Sequence, residues 1–176
     1  GACASCDGLG VSQFFDPARV VVHPELSLAA GAVRGWDRRN AYYFQLIASL
    51  AKHYGFDPDT HWQDLADPVR QAVLYGSGDD IIAFTYLTES GGRTQRKHKF
   101  EGIVPNLERR YRETESQAVK EELSKFISTR ACPECGGARL NRSARNVFVA
   151  DRPLTQIAQL PVDESLAFFS HLTLSG

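Results

Sequence analysis

Four cysteines, in two Cys-x-x-Cys pairs at opposite ends of the chain, restrict the fold more than any other feature. Cys3 and Cys6 stand in Cys-Ala-Ser-Cys-Asp-Gly-Leu-Gly, Cys132 and Cys135 in Cys-Pro-Glu-Cys-Gly-Gly-Ala-Arg, and the chain has no others. Four thiolates are the ligand set of a closed, tetrahedral structural zinc site. In each pair a glycine (Gly8, Gly137) follows the second cysteine by two positions. Glycine there permits a tight turn that aims backbone N–H groups at the sulfurs. Residues 7–131 lie between the pairs, whereas an ordinary zinc ribbon leaves roughly 15–20. The spacing reads as a domain inserted between two halves of one metal site. Two disulfides are the alternative in an exported protein, but no stretch reads as a signal peptide. A redox dithiol is the other alternative, and two matching copies with matching trailing glycines favour metal over it.

Hydrophobic content of 43% and charged content of 23% place the chain among globular proteins and outside the disordered class. Its length suits one core, or a core with a small satellite. No apolar run approaches the ~20 residues of a membrane span. The chain opens Gly-Ala-Cys and contains no methionine, so a processed or excised piece of a longer protein is expected. The net charge of −1 hides a regional split. Residues 1–92 carry 6 basic and 11 acidic side chains, residues 93–145 carry 13 and 7, and residues 146–176 carry 1 and 3. A basic centre permits a polyanion-binding face, although alternating signs also suit a solvated helix.

Short strands are expected at Val11–Phe15 and Arg19–His23, the first stopped by Asp16-Pro17 and the second by Pro24. Leu26–Trp36 reads as a glycine-containing loop with little order of its own. The periodicity of Tyr43, Leu46, Ile47, Leu50, Ala51 and Tyr54 predicts a helix over Arg38–Tyr54, with Asp37 as N-cap and Gly55 as its stop. Its aromatic residues suit either a core stripe or a platform for stacking bases. One helical turn is expected near Trp62, then a short helix opening at Asp67-Pro68 with Val69, Ala72 and Val73 inward. Asp80–Leu87 and Thr94–Phe100 form a hairpin about Ser90-Gly91-Gly92, with Ile82, Phe84 and Tyr86 on one face. Its return strand carries Arg96, Lys97 and Lys99 beside His98, either protecting an edge or contacting phosphates. Val104–Ile127 is predicted helical, broken near Glu113-Thr114, with Thr114 and Gln117 spaced as a capping box. Arg109, Arg110 and Arg112 cluster at the end of its first half, where cations also favour the helix dipole. After the second knuckle come a basic run (Arg139, Arg142, Arg145), a strand at Val147–Ala150, and a helix capped by Asp163 that turns Leu166, Phe169 and Leu172 inward.

Enzyme signatures are missing. The sequence has no phosphate loop, no Gly-x-Gly-x-x-Gly and no Gly-x-Ser-x-Gly. His23, His53, His61, His98 and His171 are scattered, and the adjacent carboxylates Asp79-Asp80 and Glu121-Glu122 do not point into one site.

The order of motifs along the chain resembles the UvrA family, the excinuclease ATPases of bacterial nucleotide excision repair. The likeness rests on Cys-x-x-Cys-Asp-Gly-Leu-Gly at 3–10, Phe-Asp-Pro at 15–17, Pro-Glu-Leu-Ser-Leu at 24–28 and Gly-Trp-Asp-Arg-Arg-Asn at 35–40. It continues through Phe-Glu-Gly at 100–102, Glu-Arg-Arg-Tyr-Arg-Glu-Thr-Glu-Ser at 108–116, Cys-Pro-Glu-Cys-Gly-Gly-Ala-Arg-Leu at 132–140 and Phe-Phe-x-x-Leu at 168–172. The resemblance implies an α+β fold, a zinc-knuckle module with an inserted domain of mixed helices and an antiparallel hairpin. Residues 1–15 are then the first half of the module, 16–130 the insertion, and 131–176 the second half with the start of the return into the ATPase signature region. It implies one Zn2+ per chain on Cys3, Cys6, Cys132 and Cys135. It implies a non-catalytic region that grips damaged double-stranded DNA and senses lesions, with Arg96, Lys97, Lys99, Arg109, Arg110 and Arg112 as candidate contacts. ATP hydrolysis, dimerisation and docking of UvrB belong to a cytoplasmic parent protein, through regions outside this chain. The final Leu-Ser-Gly is not that parent's ATPase signature. A zinc-dependent interaction module like a cochaperone cysteine-rich domain is the alternative, though it calls for four closely spaced repeats.

Overall fold

A computed structural model of the chain describes residues 1–87 and 91–173. Ser90 of the expected turn and the terminal Leu174, Ser175 and Gly176 lie outside the described residues. The elements in chain order are β1 (Val11–Phe15), α1 (Pro17–Val20), α2 (Ala41–Tyr54), a 3-10 turn (Trp62–Asp64), α3 (Asp67–Tyr75), β2 (Ile81–Leu87) and β3 (Arg93–Lys99). There follow α4 (Ile103–Glu113), α5 (Gln117–Ser124), β4 (Ile127–Ala131), α6 (Arg142–Arg145), β5 (Phe148–Val149), β6 (Arg152–Pro153), α7 (Leu154–Ile157) and α8 (Val162–Ser170). This is the expected mixture of helices with small antiparallel pairs. The chain divides into two compact units, one of Gly1–Phe14 with the chain from Ser128 onward, the other of Phe15–Ile127.

The larger unit holds the apolar core. Leu28, Ile47, Leu50, Val73, Ile82, Phe84 and Ile103 are fully buried in one cluster with Trp36 and Phe100. Burying each such side chain contributes roughly 1.5–3 kcal/mol. α2 lies along β2, and α3 lies against α4. The expected inward residues of α3 are there, with Ala72 and Val73 buried and Val69 packed at the margin. β2 and β3 pair antiparallel, with Ile82 opposite His98, Phe84 opposite Arg96 and Tyr86 opposite Thr94.

Several local expectations fail for identifiable reasons. Arg19–His23 is not a strand, because the Asp16 carboxylate accepts the Ala18 N–H at 2.9 Å and Pro17 starts a helical turn. Val21 keeps only an isolated bridge to Val33. The stretch 26–36 is irregular but far from loosely ordered. Ser27, Leu28, Ala29, Ala32, Val33 and Trp36 are all buried, and a run of backbone bonds from residues 30–32 onto Ser27 and Leu28 closes it. α2 begins three residues later than expected, because Asn40 and not Asp37 accepts the Tyr43 N–H. Asp37 is instead buried against Arg39, which donates from its backbone N–H, Nε and Nη2 at 2.7–2.9 Å. Those bonds hold its carboxyl down to about 2. Ser116, not Thr114, caps α5, since the Thr114 hydroxyl already accepts the Ser116 N–H. The helical pattern also stops at Ser124, and Ile127–Ala131 is a strand paired with β1.

In the smaller unit the expected strand at 147–150 shrinks to Phe148–Val149, paired with Arg152–Pro153. α8 has Pro161 at its N-cap position, and Asp163 makes no capping bond. Leu166 and Phe169 are not inward but 68% and 51% exposed.

One backbone crossing locks two segments of the core together. Gly76 and Gly102 have φ of 103° and 95°, and a Cβ on Gly102 would stand 2.5 Å from Gly76 N and Tyr75 C. Ser77 reinforces this crossing, its N–H donating to Phe100 O while its hydroxyl accepts the Phe100 N–H. Gly55, by contrast, occupies the left-handed C-cap of α2 with open space around it. Gly102→Ala therefore lowers stability by more than about 2 kcal/mol, whereas Gly55→Ala costs about 1 kcal/mol. Urea unfolding of the two variants measures the difference.

Candidate metal centre and nucleic-acid interface

The two knuckles turn alike after the second cysteine and differ by one residue in the bond onto the first. Gly8 N–H donates to Cys3 O and Leu9 N–H to Cys6 O, while Gly136 N–H donates to Cys132 O and Ala138 N–H to Cys135 O. Positive φ recurs at matching places after each second cysteine, at Asp7, Gly8 and Gly10 (49°, 79°, 78°) and at Gly136, Gly137 and Arg139 (59°, 88°, 65°). Arg139 thus holds, as an arginine, a left-handed conformation that its counterpart meets with glycine. Cys3 N–H donates to Arg139 O and Cys132 N–H to Gly10 O, each at 2.9 Å, so each knuckle begins on the tail of the other.

This exchange brings Cys3, Cys6, Cys132 and Cys135 together. All four are buried, and their sulfurs lie within 4.8 Å of one another. Cys6 Sγ and Cys135 Sγ are 3.8 Å apart, well beyond the ~2.05 Å of a disulfide. A tetrahedron of sulfurs about 2.3 Å from a central ion has edges of about 3.8 Å. The donor set fits a metal ion of zinc type on both chemistry and spacing. Gly10 N–H points at Cys6 Sγ at 3.3 Å. Backbone N–H groups of Cys135 and then Glu134 bring the Cys132 thiol down to about 6 against the effect of burial. Burial pushes the Cys6 thiol up to about 11. The Cys6 and Cys132 thiols are thus driven in opposite directions, and an ion that displaces thiol protons would relieve the conflict.

The six candidate cations do not form one patch. On β3 successive side chains alternate between faces. Lys97 and Lys99 share a face with Ala83, Thr85 and Arg93, while Arg96 and His98 share the other with Phe84 and Ile82. All of β3 is exposed. Lys99 Nζ is held by Asp79 at 2.6 Å; Arg96 and Lys97 have no ion pair among the described residues. His98 Nδ1 lies 2.7 Å from Lys99 O, which fixes its proton there, so Nε2 accepts the Tyr86 hydroxyl at 2.7 Å. Arg109 is committed within α4's surroundings. It donates to both Glu101 oxygens at 2.7 and 3.0 Å and to Glu113 at 3.2 Å. These bonds depress the Glu101 carboxyl and raise Arg109. Arg110 lies over the Tyr43 ring at 5.9 Å, and Arg112 has no ion pair among the described residues.

The structure adds residues that the sequence does not single out. An open groove of about 600 Å³ runs between α2 and the hairpin, lined by Ser49, Lys52, His53, Thr85, Arg93 and Gln95 among others. Period-two counting on β3 separates Arg93, Lys97 and Lys99 from Arg96, but nothing local to Lys52 announces that it joins them.

Residues 16–125 match the sequence model of the UvrA DNA-binding domain. The chain belongs to the UvrA family. Over its full length it is 71% identical to UvrABC system protein A of Xylella fastidiosa and 56% identical to that of Salmonella typhimurium. It spans 18% and 19% of the length of those relatives. Its fold resembles the crystal structure of UvrA2 from Deinococcus radiodurans, with a TM-score of 0.65 at 23% identity, covering 97% of this chain and 22% of that one. Among the described residues of this UvrA segment, no helix is long and apolar enough to cross a membrane.

Gly10 is the most sensitive point of the metal centre. A Cβ there would meet Arg139 Cγ at 2.8 Å and Gly137 O at 2.9 Å, and its φ is 78°. Gly10→Ala is expected to lower the metal affinity of the cluster by about 10–100-fold, as loss of a residue supporting a ligand does. Competition with a chromogenic chelator measures the change.

Proposed function

We propose that this UvrA segment is a DNA-gripping, lesion-sensing region closed by a structural zinc ion. Residues 16–130 form the inserted domain, and residues 1–15 and 131–176 form the two halves of the zinc module. The observation that carries the reading is the family match over residues 16–125, which falls between the two knuckles. One Zn2+ per chain is held by Cys3, Cys6, Cys132 and Cys135. With four sulfurs bound, zinc has no open position and supplies closure of the module, not chemistry. The region itself is non-catalytic. ATP binding, dimerisation and UvrB docking belong to other parts of the cytoplasmic parent protein.

Damaged double-stranded DNA is the partner. Contact is made through phosphates and duplex shape, because a sensor of damage must accept any sequence. Arg96 and Lys97, exposed and without carboxylate partners among the described residues, are the leading contacts. Lys99 and Arg109 contribute less, since DNA must compete with Asp79 and with Glu101 and Glu113. Arg110 and Arg112 extend the same charge along α4. Arg93 and Lys52, which share the groove beside α2, join the set on Lys97's side of the hairpin.

Replacing both Arg96 and Lys97 by Glu is expected to weaken binding to duplex DNA by at least about tenfold. It also flattens the slope of log K against log salt by about 2, one unit for each phosphate that is no longer neutralised. Glu substitution of Arg109 changes both less. Anisotropy titrations at several salt concentrations measure this. Unchanged affinity and slope in the double variant remove the hairpin from the interface.

A further inference from the structure

The aromatic stripe of α2 is only partly core. Tyr43 packs at its margin, with its ring 4.3 Å from Trp36, but the neighbouring Tyr42 is 57% exposed. Beside it opens a cavity of about 190 Å³ lined by Trp36, Tyr42, Tyr43, Tyr86, His98 and Asn106. The Tyr42 and Tyr86 ring centroids are 6.3 Å apart with their planes tilted by 38°, and Tyr86 lies 6.2 Å from His98 at 27°. The Tyr86 hydroxyl is engaged by His98, so that ring is held in place.

A second observation is polar. Asn106 Nδ2 donates to Glu101 at 3.2 Å, which orients the amide. Its Oδ1 is buried and has no hydrogen-bond partner among the described residues. A buried acceptor without a donor favours a ligand that brings one. The surroundings carry both signs, with Glu101 in the lining beside the Arg109 it holds and further cations around it. Arg109 lines the same cavity, Arg110 lies over Tyr43, and Arg96 stands on the Tyr86–His98 face of the hairpin.

Flat aromatic walls, an unanswered acceptor and flanking cations together describe a flat, N–H-bearing ring carried on a polyanion. We infer that this cavity takes an unstacked nucleobase, held against Tyr42 and Tyr86 with a base N–H donated to Asn106 Oδ1. The inference rests on the DNA-binding reading above and deepens it. A ring between two others needs them about 7 Å apart, two separations of about 3.5 Å. With centroids 6.3 Å apart and planes tilted by 38°, the pair reaches this only if the exposed Tyr42 ring turns outward and toward parallel. A paired base must first leave its stack, and a bulged or mismatched one gives up less in doing so. The cavity therefore discriminates by the ease of extrusion and not by sequence.

The test uses the 176-residue chain with two DNAs, a duplex carrying 2-aminopurine as a single-nucleotide bulge and a fully paired duplex carrying the same label. The bulged DNA is expected to bind about tenfold more tightly, the increment of one stacked base, with its 2-aminopurine fluorescence quenched. Tyr42→Ala abolishes the quenching and reduces the preference to near unity, while Tyr42→Phe keeps both. If the unsubstituted chain binds both DNAs alike without quenching, or Tyr42→Ala retains quenching and preference, the cavity is not a base site, and the phosphate-gripping reading still stands. If the unsubstituted chain binds neither DNA, both readings fall.

Discussion

The structure depends on four thiols being withdrawn from water at one point although they arrive from opposite ends of the chain. The exchange of backbone bonds between the knuckles, Cys3 onto Arg139 and Cys132 onto Gly10, fixes both chain ends of the smaller unit. That requirement explains why β1 and β4, far apart in sequence, pair with each other. It also explains why Gly10 tolerates no side chain. Burial raises the Cys6 thiol while backbone donors lower that of Cys132. The proposed zinc ion would take both as thiolates. A core of this unit's size, with its exposed Leu166 and Phe169, gains more from such a staple than a large domain does.

The basic character of the central stretch changes once its partners are known. Part of what looks like free positive charge is internally balanced, with Lys99 on Asp79, Arg109 on Glu101 and Glu113, and Lys125 on Glu122. What remains for a polyanion is a narrower set, divided by the pleat of β3 into two faces. One borders the groove beside α2, the other the aromatic cavity. On the proposed reading, phosphate contact and base contact would fall on opposite faces of the same hairpin.

Patterns with a chemical period are legible in the sequence, and features settled by distant partners are not. The two Cys-x-x-Cys turns, the α2 stripe, the Ile82–Phe84 face of the hairpin and Gly55 as a helix stop all follow from local spacing. Asp37 misleads because a short polar residue before a helix suits either a cap or a buried ion pair, and only the fold supplies Arg39. The Arg19–His23 run looks extended because three valines outweigh one Asp-Pro in a propensity reading, while the Asp16 cap acts at shorter range. Arg139 reads as part of a basic run. Its left-handed backbone, matching Gly10 in the other knuckle, is visible only when the two turns are compared in space. Tyr42 and Tyr86 become neighbours only when the hairpin meets α2.

One ion is proposed to join both ends of this chain. Zinc K-edge absorption on the purified chain tests it most directly. Four sulfur neighbours at about 2.3 Å, one zinc per chain and no lighter ligand are the predicted result. Two sulfurs with nitrogen or oxygen completing the shell, or a chain that holds no zinc while its thiols are reduced, would contradict it.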